Sequence, residues 1–353
     1  MESGRILGQN HIIKHFENAI KMGKISHAYI INGEAGSGKM KLAVHFAKAL
    51  QCEANNPDAS DGNMQFDFGE GTGEKKEITG VACGHCKSCH QTDSGNQPDI
   101  KYVTHEKSGM GVDEIRDQIN NDIDIKPYSS RYKIYIVPDS EKMTVQAQNA
   151  LLKTIEEPPE YAIIILLTTN ADMFLQTILS RCVLLNIRPV KEETIRNQLM
   201  SEYGIGNYEA NVAAVFANGN PGKAIKLATS EDFKELKQQV VGTLLSLEKG
   251  GMDIITQRVK EAGSFKNQID DYFGLMQTWF RDVLLYKATG DTEKLIFQDD
   301  YHEIVEMSEK ISYFHINIIL KSIDQAWNRI KSNVNFDITM EVLFLSIKER
   351  IKK

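Results

Sequence analysis

The sequence predicts an α/β domain followed by two helical regions, and three observations support this prediction. Up to residue 187, short apolar runs alternate with helical patterns, as in a parallel sheet covered by helices. From 188 to 229 the strand signals disappear, and from 230 to 353 long amphipathic helices follow. Because 353 residues suffice for two or three domains, we predict an α/β domain at 1–187, a small helical lid at 188–229 and an all-helical domain at 230–353.

The elements of the first region follow from residue type and hydrophobic period. All but one of the candidate strands are rich in isoleucine, valine and tyrosine, and the candidate helices carry apolar residues at helical spacing. The strands are His27–Ile31, Ile100–Thr104, Lys133–Val137, Ala162–Thr168 and Cys182–Leu185. The helices between them are Lys39–Leu50, Val112–Asp122 and Thr144–Glu157.

The remaining two regions are predicted from helix signals alone. Two short helical patterns of the lid end at Asn218-Gly-Asn-Pro-Gly222, where a helix stop is followed by a new helix start. In the last region, Gln268–Lys287 and Ile316–Ser332 are long amphipathic patterns. Periodicity predicts only that these helices form a packed bundle.

Composition favours a globular cytoplasmic protein. The chain is 41% hydrophobic and 25% charged, and its longest apolar run, residues 161–167, is far shorter than the roughly 18 residues that span a bilayer. The net charge of −7 argues weakly against a surface that binds nucleic acid throughout. Residues 53–80 are acidic and rich in Gly, Asp and Asn, so we predict a flexible insertion there.

A glycine-rich segment after the first predicted strand has the pattern of a phosphate-binding loop. In Gly33-Glu-Ala-Gly-Ser-Gly38-Lys39-Met40 the glycines, Gly36 among them, allow backbone N–H groups to converge on phosphates, and Lys39 would neutralise the outer ones. The segment lies between a strand and a helix, which is the context that this motif requires. We therefore predict a nucleotide-binding loop of Gly33, Gly36, Gly38, Lys39 and Met40.

Two departures predict that this loop does not support hydrolysis. Met40 stands where Ser or Thr supplies a hydroxyl to Mg²⁺, and its thioether is a poor ligand for a hard cation. The strand Lys133–Val137 should end in two adjacent acids, but the pair is either Pro138/Asp139 or Asp139/Ser140. Mg²⁺ binding and independent hydrolysis are therefore not expected, and ATP binding through Lys39 stays open.

Three of the five cysteines form the pattern Cys83-Gly-His-Cys86-Lys-Ser-Cys89. In a reducing cytoplasm this spacing indicates a metal site before it indicates disulfides. The fourth ligand is not settled by the spacing, since Cys52, His85 and His90 are all candidates, and a metal-free group of thiols is the alternative.

Several segments together resemble one known family. They are Ile6-Leu-Gly-Gln9, Ser26-His-Ala-Tyr29, the glycine-rich loop, the cysteine pattern, Lys142–Pro158, Leu167-Thr-Thr-Asn170 and Leu179-Ser-Arg-Cys182. The chain resembles the AAA+ subunits of bacterial clamp loaders, and the delta-prime type of DNA polymerase III above all. The resemblance covers nearly the whole chain and implies a P-loop AAA+ domain, a lid and a C-terminal collar domain that assembles a pentameric ring.

The resemblance also implies roles for individual residues. Arg181 of Ser180-Arg-Cys182 would be an arginine finger that reaches the ATP held by a neighbouring subunit, where a guanidinium stabilises growing charge. Thr169 and Asn170 match a polar sensor of the terminal phosphate, and Gly222 or Lys223 replaces a sensor arginine. Cys52 would complete a structural zinc site with Cys83, Cys86 and Cys89.

The implied function is that of a non-hydrolysing subunit within a replication complex. Its expected partners are the delta and gamma/tau subunits, the sliding clamp and primer–template DNA, without a membrane, in the cytoplasmic, nucleoid-associated replisome. Catalysis would belong to the DNA polymerase III holoenzyme rather than to this chain. The alternatives are an active gamma/tau-type ATPase, against which Met40 and Pro138 argue, and a stand-alone nucleotide- or DNA-binding module.

Overall fold

A computed structural model describes residues 6–56, 78–105 and 109–351. The chain forms two compact units, one of residues 1–191 with Asn220–Gly222, the other of 192–219 with 223–353. The predicted flexible insertion at 53–80 lies for the most part, at 57–77, outside the described residues. Among the described helices, none is both long and apolar enough to cross a membrane.

The first unit is built on a parallel sheet of five strands. The strands are β1 (Ala28–Asn32), β2 (Ile100–Tyr102), β3 (Lys133–Val137), β4 (Ala162–Thr168) and β5 (Val183–Asn186). They lie in the order β2-β3-β4-β1-β5, and every pairing is parallel. The carboxyl ends of all five strands therefore meet at one edge, where the loops after β1, β3 and β4 come together.

Helices cover both faces of this sheet. They are α1 (Asn10–Lys21), α2 (Lys39–Gln51), α3 (Lys87–Asp93), α4 (Val112–Ile115), α5 (Val145–Glu156) and α6 (Gln176–Leu179). Side chains alternate along β4: Ile163 and Ile165 join the α1/α2 core, whereas Ile164 and Leu166 join the core formed with α4 and α5. Both faces are buried, which explains why the central strands are continuously apolar.

Two predicted elements end two or more residues earlier in the structure than in the sequence pattern. Strand β2 stops at Tyr102 because the main chain of Thr104 is hydrogen-bonded to the Gln118 side chain instead of to a neighbouring strand. The Thr104 N–H donates to Gln118 Oε1 at 2.9 Å, and Gln118 Nε2 donates to the Thr104 carbonyl at 2.7 Å. The helix predicted to reach Asp122 changes to a π-helical segment at Arg116–Asn120. The chain turns at Asp122, and the carbonyl of Asp122 accepts a hydrogen bond from Lys133 Nζ at 2.7 Å.

The second unit is helical throughout its regular elements. The helices are α7 (Glu192–Tyr203), α8 (Asn207–Phe216), α9 (Pro221–Thr229), α10 (Glu231–Lys249), α11 (Met252–Gly263), α12 (Ile269–Thr289), α13 (Tyr301–Lys310), α14 (Tyr313–Lys331) and α15 (Phe336–Ile351). Helix α9 begins within the first unit and continues into the second. The central helix is α12, which packs against α10, α13 and α14 and buries Trp279 and Phe280 completely. The predicted lid–collar boundary at 229/230 falls between α9 and α10 and stays a prediction.

A buried carboxylate in the second unit ties α12 to the segment before α13. The Oδ2 atom of Asp282 accepts hydrogen bonds from the N–H groups of Ile296 at 2.7 Å and Phe297 at 2.8 Å. Its Oδ1 atom is buried and has no partner among the described residues. Burial raises the pKa of Asp282 to about 6, although the two N–H groups favour the charged form.

We expect Asp282→Asn to change how stability depends on pH. Because the folded-state pKa lies above the usual 3.8, protonation stabilises the folded chain; this contribution is complete below pH of about 4 and is lost as pH rises through about 6. From pH 7 to pH 4 the wild type should therefore gain up to about 3 kcal/mol relative to the variant. Urea unfolding followed by the fluorescence of Trp279 and Trp327 measures this unit, and a pH-independent difference would contradict the assignment.

Candidate functional site

The glycine-rich loop joins β1 to α2 at the carboxyl edge of the sheet. Gly36 and Gly38 have φ values of 79° and 97°, in the region that favours glycine, and Gly38 immediately precedes α2. The Lys39 Nζ atom donates hydrogen bonds to the carbonyls of Gly33 at 2.6 Å and Glu34 at 2.8 Å. The lysine is thus folded back onto its own loop.

The two positions expected to hold Mg²⁺ are not arranged for it. The Met40 side chain packs against the apolar core between the sheet, α1 and α2. Pro138 follows β3 directly, and Asp139 has a left-handed φ of 48° with its carboxylate paired to Lys142 at 3.0 Å. Met40 thus offers no oxygen ligand for a hard cation, and the Asp139 carboxylate is engaged by Lys142.

A carboxylate that the sequence analysis did not single out lies at the same edge. Glu141 accepts hydrogen bonds from the hydroxyl of Thr169 at 2.7 Å and from its N–H group at 3.2 Å. Burial alone would raise the pKa of Glu141, but these bonds hold it below its usual value. The side-chain oxygen of Asn170 accepts a hydrogen bond from the N–H group of Asp172, within the same turn, at 3.0 Å.

Residues Asn220–Gly222 of the first unit contact the glycine-rich loop. The Gly222 N–H donates to the Gly36 carbonyl at 3.1 Å, and the Asn220 side-chain amide donates to the Ala35 carbonyl at 2.8 Å. A Cβ atom at Gly222 would collide with the Gly36 carbonyl, so only glycine fits there. Lys223 belongs to the second unit and lies 3.7 Å from Asp271.

Arg181 lies on the surface of the first unit, after α6. Its guanidinium contacts the Glu156 carboxylate at 3.1 Å and donates to the Thr177 carbonyl at 2.9 Å. Both charged side chains keep about two-fifths of their surface exposed, 40% for Arg181 and 45% for Glu156. The next residue, Cys182, packs against the core, and burial raises the pKa of its thiol to about 12. Arg181 is therefore accessible, whereas Cys182 is an inert neighbour.

The four predicted cysteines come together into one cluster. The sulfur atoms of Cys52, Cys83, Cys86 and Cys89 lie within 4.8 Å of one another, and those of Cys83 and Cys89 are 4.0 Å apart. This is far longer than a disulfide bond of about 2.05 Å. It is close to the separation of about 3.8 Å between sulfurs that tetrahedral zinc with bonds of about 2.3 Å requires.

The chain segments around the cluster explain how distant cysteines meet. The Asn55 side-chain amide donates to the carbonyls of Ala49 at 2.9 Å and Val81 at 3.1 Å, and its oxygen accepts the N–H of Gly80 at 3.2 Å. These bonds fasten the segment before Cys83 to the end of α2. Gly80 has a positive φ of 73° and lies against the α1 backbone, where no side chain fits.

Main-chain N–H groups donate hydrogen bonds to two of the four sulfurs. The N–H of Cys83 donates to the Cys52 sulfur at 3.2 Å, and that of Cys89 donates to the Cys86 sulfur at 3.4 Å. Burial raises the pKa of Cys52 and Cys89. Burial acts on Cys83 in the same direction, but N–H groups of His85 and Cys86 and the thiols of Cys52 and Cys86 lower its pKa to about 6.

The geometry distinguishes between the alternatives for the fourth ligand. His85 is exposed and its Nδ1 atom lies 2.9 Å from the Cys83 carbonyl, and His90 is also exposed. Within the described residues, the metal-sized cluster consists of the four cysteines and includes neither histidine. The residues fit a closed site of four thiolates with no open position, which is a structural rather than a catalytic arrangement.

Comparison with protein families gives matches along most of the chain. A family described as "DNA polymerase III, delta subunit" matches residues 8–68 and 64–191, and one described as "DNA polymerase III, delta subunit, C terminal" matches 232–349. The parallel sheet, the loop after β1 and the helical second unit define a P-loop protein of the AAA+ class. The chain belongs to the DNA polymerase III delta subunit family.

Two relatives from Bacillus subtilis agree with this assignment. The chain is 28% identical to DNA polymerase III subunit delta' of Bacillus subtilis strain 168, over 97% of this chain and 96% of that one. It is 29% identical to subunit tau of the same organism, over 90% of this chain and 57% of tau. A solved gamma subunit-related protein from Thermotoga maritima is 20% identical, over 96% and 99% of the two chains, with a TM-score of 0.40.

The comparisons decide two of the sequence predictions. The predicted fold class and the predicted membership in the clamp-loader family are confirmed. The roles of individual residues in the loop, at Arg181 and in the cysteine cluster stay predictions. Asn55, Gly80 and Glu141 were missed, since the contacts they make depend on segments that are distant in sequence.

Proposed function

We propose that this chain is a delta-prime-type subunit of a clamp loader, which donates Arg181 to the ATP site of a neighbouring subunit and does not hydrolyse ATP itself. Similarity along 97% of the chain to a subunit delta' supports the choice of type. The observation that carries the proposal is the degenerate phosphate loop. Met40 packs against the apolar core. Because a methionine side chain has no hydroxyl, the site lacks the group that hydrolysis requires at this position.

The position of Arg181 supports the second half of the proposal. The side chain is half-exposed after α6, and its partner Glu156 is also half-exposed, so the ion pair costs little to break. A planar guanidinium released from this pair is suited to a phosphoryl group on another subunit, where it stabilises the charge that grows in the transition state. The functional centre would thus lie at the surface rather than at Lys39.

The cysteine cluster would hold a structural Zn²⁺. Cys52, Cys83, Cys86 and Cys89 would supply four thiolates, and the bound ion would join the end of α2 to α3. The hydrogen bonds of Asn55 preform this geometry. The site would contribute to folding stability and not to chemistry, because no coordination position is left for water or substrate.

The partners follow from the proposed type. The chain would assemble with delta and gamma/tau subunits into a ring, through its helical second unit, and act on a sliding clamp and on primer–template DNA. Relatives named as subunits delta', tau and gamma support this proposal. The alternative is an active gamma/tau-type ATPase, which the 29% identity to subunit tau keeps in view.

An ATPase assay on the isolated chain tests the choice between these two functions. We expect no steady-state hydrolysis above background, with or without primed DNA, and no difference between the wild type and Lys39→Ala. Turnover on the order of one per second that disappears in Lys39→Ala would establish the active ATPase instead. Co-purification with the other loader subunits is the second measurement, and failure to join a stoichiometric ring would contradict the proposal.

A further inference from the structure

A carboxylate of the same chain, that of Glu141, is bound to the residue that follows β4, next to the phosphate loop. Strands β1 and β4 are neighbours, with Asn32 opposite Thr168, and the Gly33 N–H donates to the Thr168 carbonyl at 3.1 Å. Thr169, the next residue after β4, therefore stands beside the loop. Its hydroxyl and N–H groups both donate to the Glu141 carboxylate, at 2.7 and 3.2 Å.

Glu141 is held in this position by the turn that follows β3. The fully buried Ser140 hydroxyl donates to the carbonyl of Leu167 in β4 at 2.6 Å and lies 3.2 Å from the Val137 carbonyl. A 3₁₀ turn at Ser140–Lys142 then directs Glu141 toward Thr169. The Glu141 side chain is thus fixed at its backbone by the turn and at its carboxylate by two hydrogen bonds.

The charges around Lys39 also disfavour a further negative group next to the loop. Burial lowers the pKa of Lys39, and the carboxylates of Glu141, Asp139 and Glu34 oppose this, with Glu141 acting most strongly. Three carboxylates therefore act on the charge of this one lysine. A terminal phosphate bound next to Lys39 would add negative charge near these carboxylates, and Met40 provides no hydroxyl for a Mg²⁺ ion that would offset this charge.

We propose that Glu141 excludes the terminal phosphate of a nucleoside triphosphate from this site, so that the phosphate loop is selective for a nucleoside diphosphate. Glu141 takes the two donors of Thr169 that the terminal phosphate would otherwise use. The loop N–H groups remain for the two inner phosphates. The inference rests on the proposed non-hydrolysing phosphate loop and names the ligand class and the residue that selects it.

Titration of the full-length chain with ADP and with ATP, by calorimetry without added Mg²⁺, tests this selectivity. We expect Glu141→Ala to raise the affinity for ATP at least tenfold, or from undetectable to measurable, and to change the affinity for ADP less than threefold. Glu141→Gln removes the charge and retains the size, so we expect it to raise the affinity for ATP as well. Adding Lys39→Ala to Glu141→Ala should remove the gain.

Asp172→Ala is the matched control, because it removes an exposed carboxylate from the turn after Asn170. The inference is overturned if Glu141→Ala leaves ATP affinity unchanged, if ADP gains as much as ATP, or if Asp172→Ala has the same effect. A gain that survives the loss of Lys39, or absence of nucleotide binding in every variant, also overturns it. None of these outcomes bears on Arg181, whereas hydrolysis by the isolated wild type would refute the proposed function itself.

Discussion

Replacing Cys89 by serine is expected to remove the metal and to destabilise the first unit strongly. Cys89 is completely buried among the other three sulfurs, and a serine hydroxyl is a poor ligand for zinc at this thiolate position. The free energy of unfolding should fall by more than about 3 kcal/mol, beyond the usual range of point substitutions, because loss of a metal is among the largest effects. Elemental analysis should fall from about one zinc per chain to near zero.

Cys182→Ala provides the matched control for this experiment. Cys182 is partly buried against the core of the same unit and lies outside the cluster. Its replacement should leave the metal content at about one per chain and lower stability by only about 1 kcal/mol. A Cys89→Ser chain that still holds one tightly bound zinc would show that a different residue, such as His85 or His90, completes the site.

The sheet was predictable because its signal is local. The runs Lys133–Val137 and Ala162–Thr168 are buried on both faces, and both strands have the bounds that residue type and period predict. The end of β2 was not predictable in the same way. It depends on Gln118, a side chain from a different element, which no pattern within residues 100–104 reveals.

The cysteine cluster is likewise predictable from the sequence only where its residues are close together along the chain. The spacing of Cys83, Cys86 and Cys89 indicates three ligands by itself, since a short loop and the first turn of α3 bring them together. The contribution of Cys52 depends on Asn55, whose hydrogen bonds bridge a long intervening segment. The spacing alone therefore leaves Cys52 and two histidines as candidates; the family resemblance favours Cys52, and the folded chain brings its sulfur to the other three.

Glu141 is the clearest case of a site residue that sequence analysis overlooked. A strand end is expected to present two adjacent acids directly, which at the end of β3 points to Pro138, Asp139 and Ser140. The 3₁₀ turn at Ser140–Lys142 changes which side chain points to the site. Asp139 instead pairs with Lys142, and Glu141 reaches Thr169. The sequence does show an acidic residue, Glu141, two positions after Asp139. It does not indicate a site residue until the strand register shows that Thr169 lies nearby.

Replacing Arg181 by alanine is expected to impair ATP hydrolysis by the assembled complex without affecting its assembly. If Arg181 acts at the ATP site of one neighbour, hydrolysis at that site should slow by about 10³-fold or more, and the DNA-stimulated rate of the whole complex should fall with it. Stability should change by less than about 0.5 kcal/mol, since the pair with Glu156 is exposed at 3.1 Å. Steady-state ATPase and size-exclusion chromatography of the reconstituted ring measure both effects.

Two further variants separate a finger from a general loss of positive charge. Arg181→Lys keeps the charge but lacks the planar fork of donors, so it should recover only a small part of the rate. Arg188→Ala removes another exposed arginine from the same unit and should leave the rate unchanged. An unaltered rate in Arg181→Ala would exclude this residue from the mechanism. A ring that fails to form would instead assign Arg181 to the subunit interface, because the ion pair with Glu156 would then matter for assembly rather than for phosphoryl transfer.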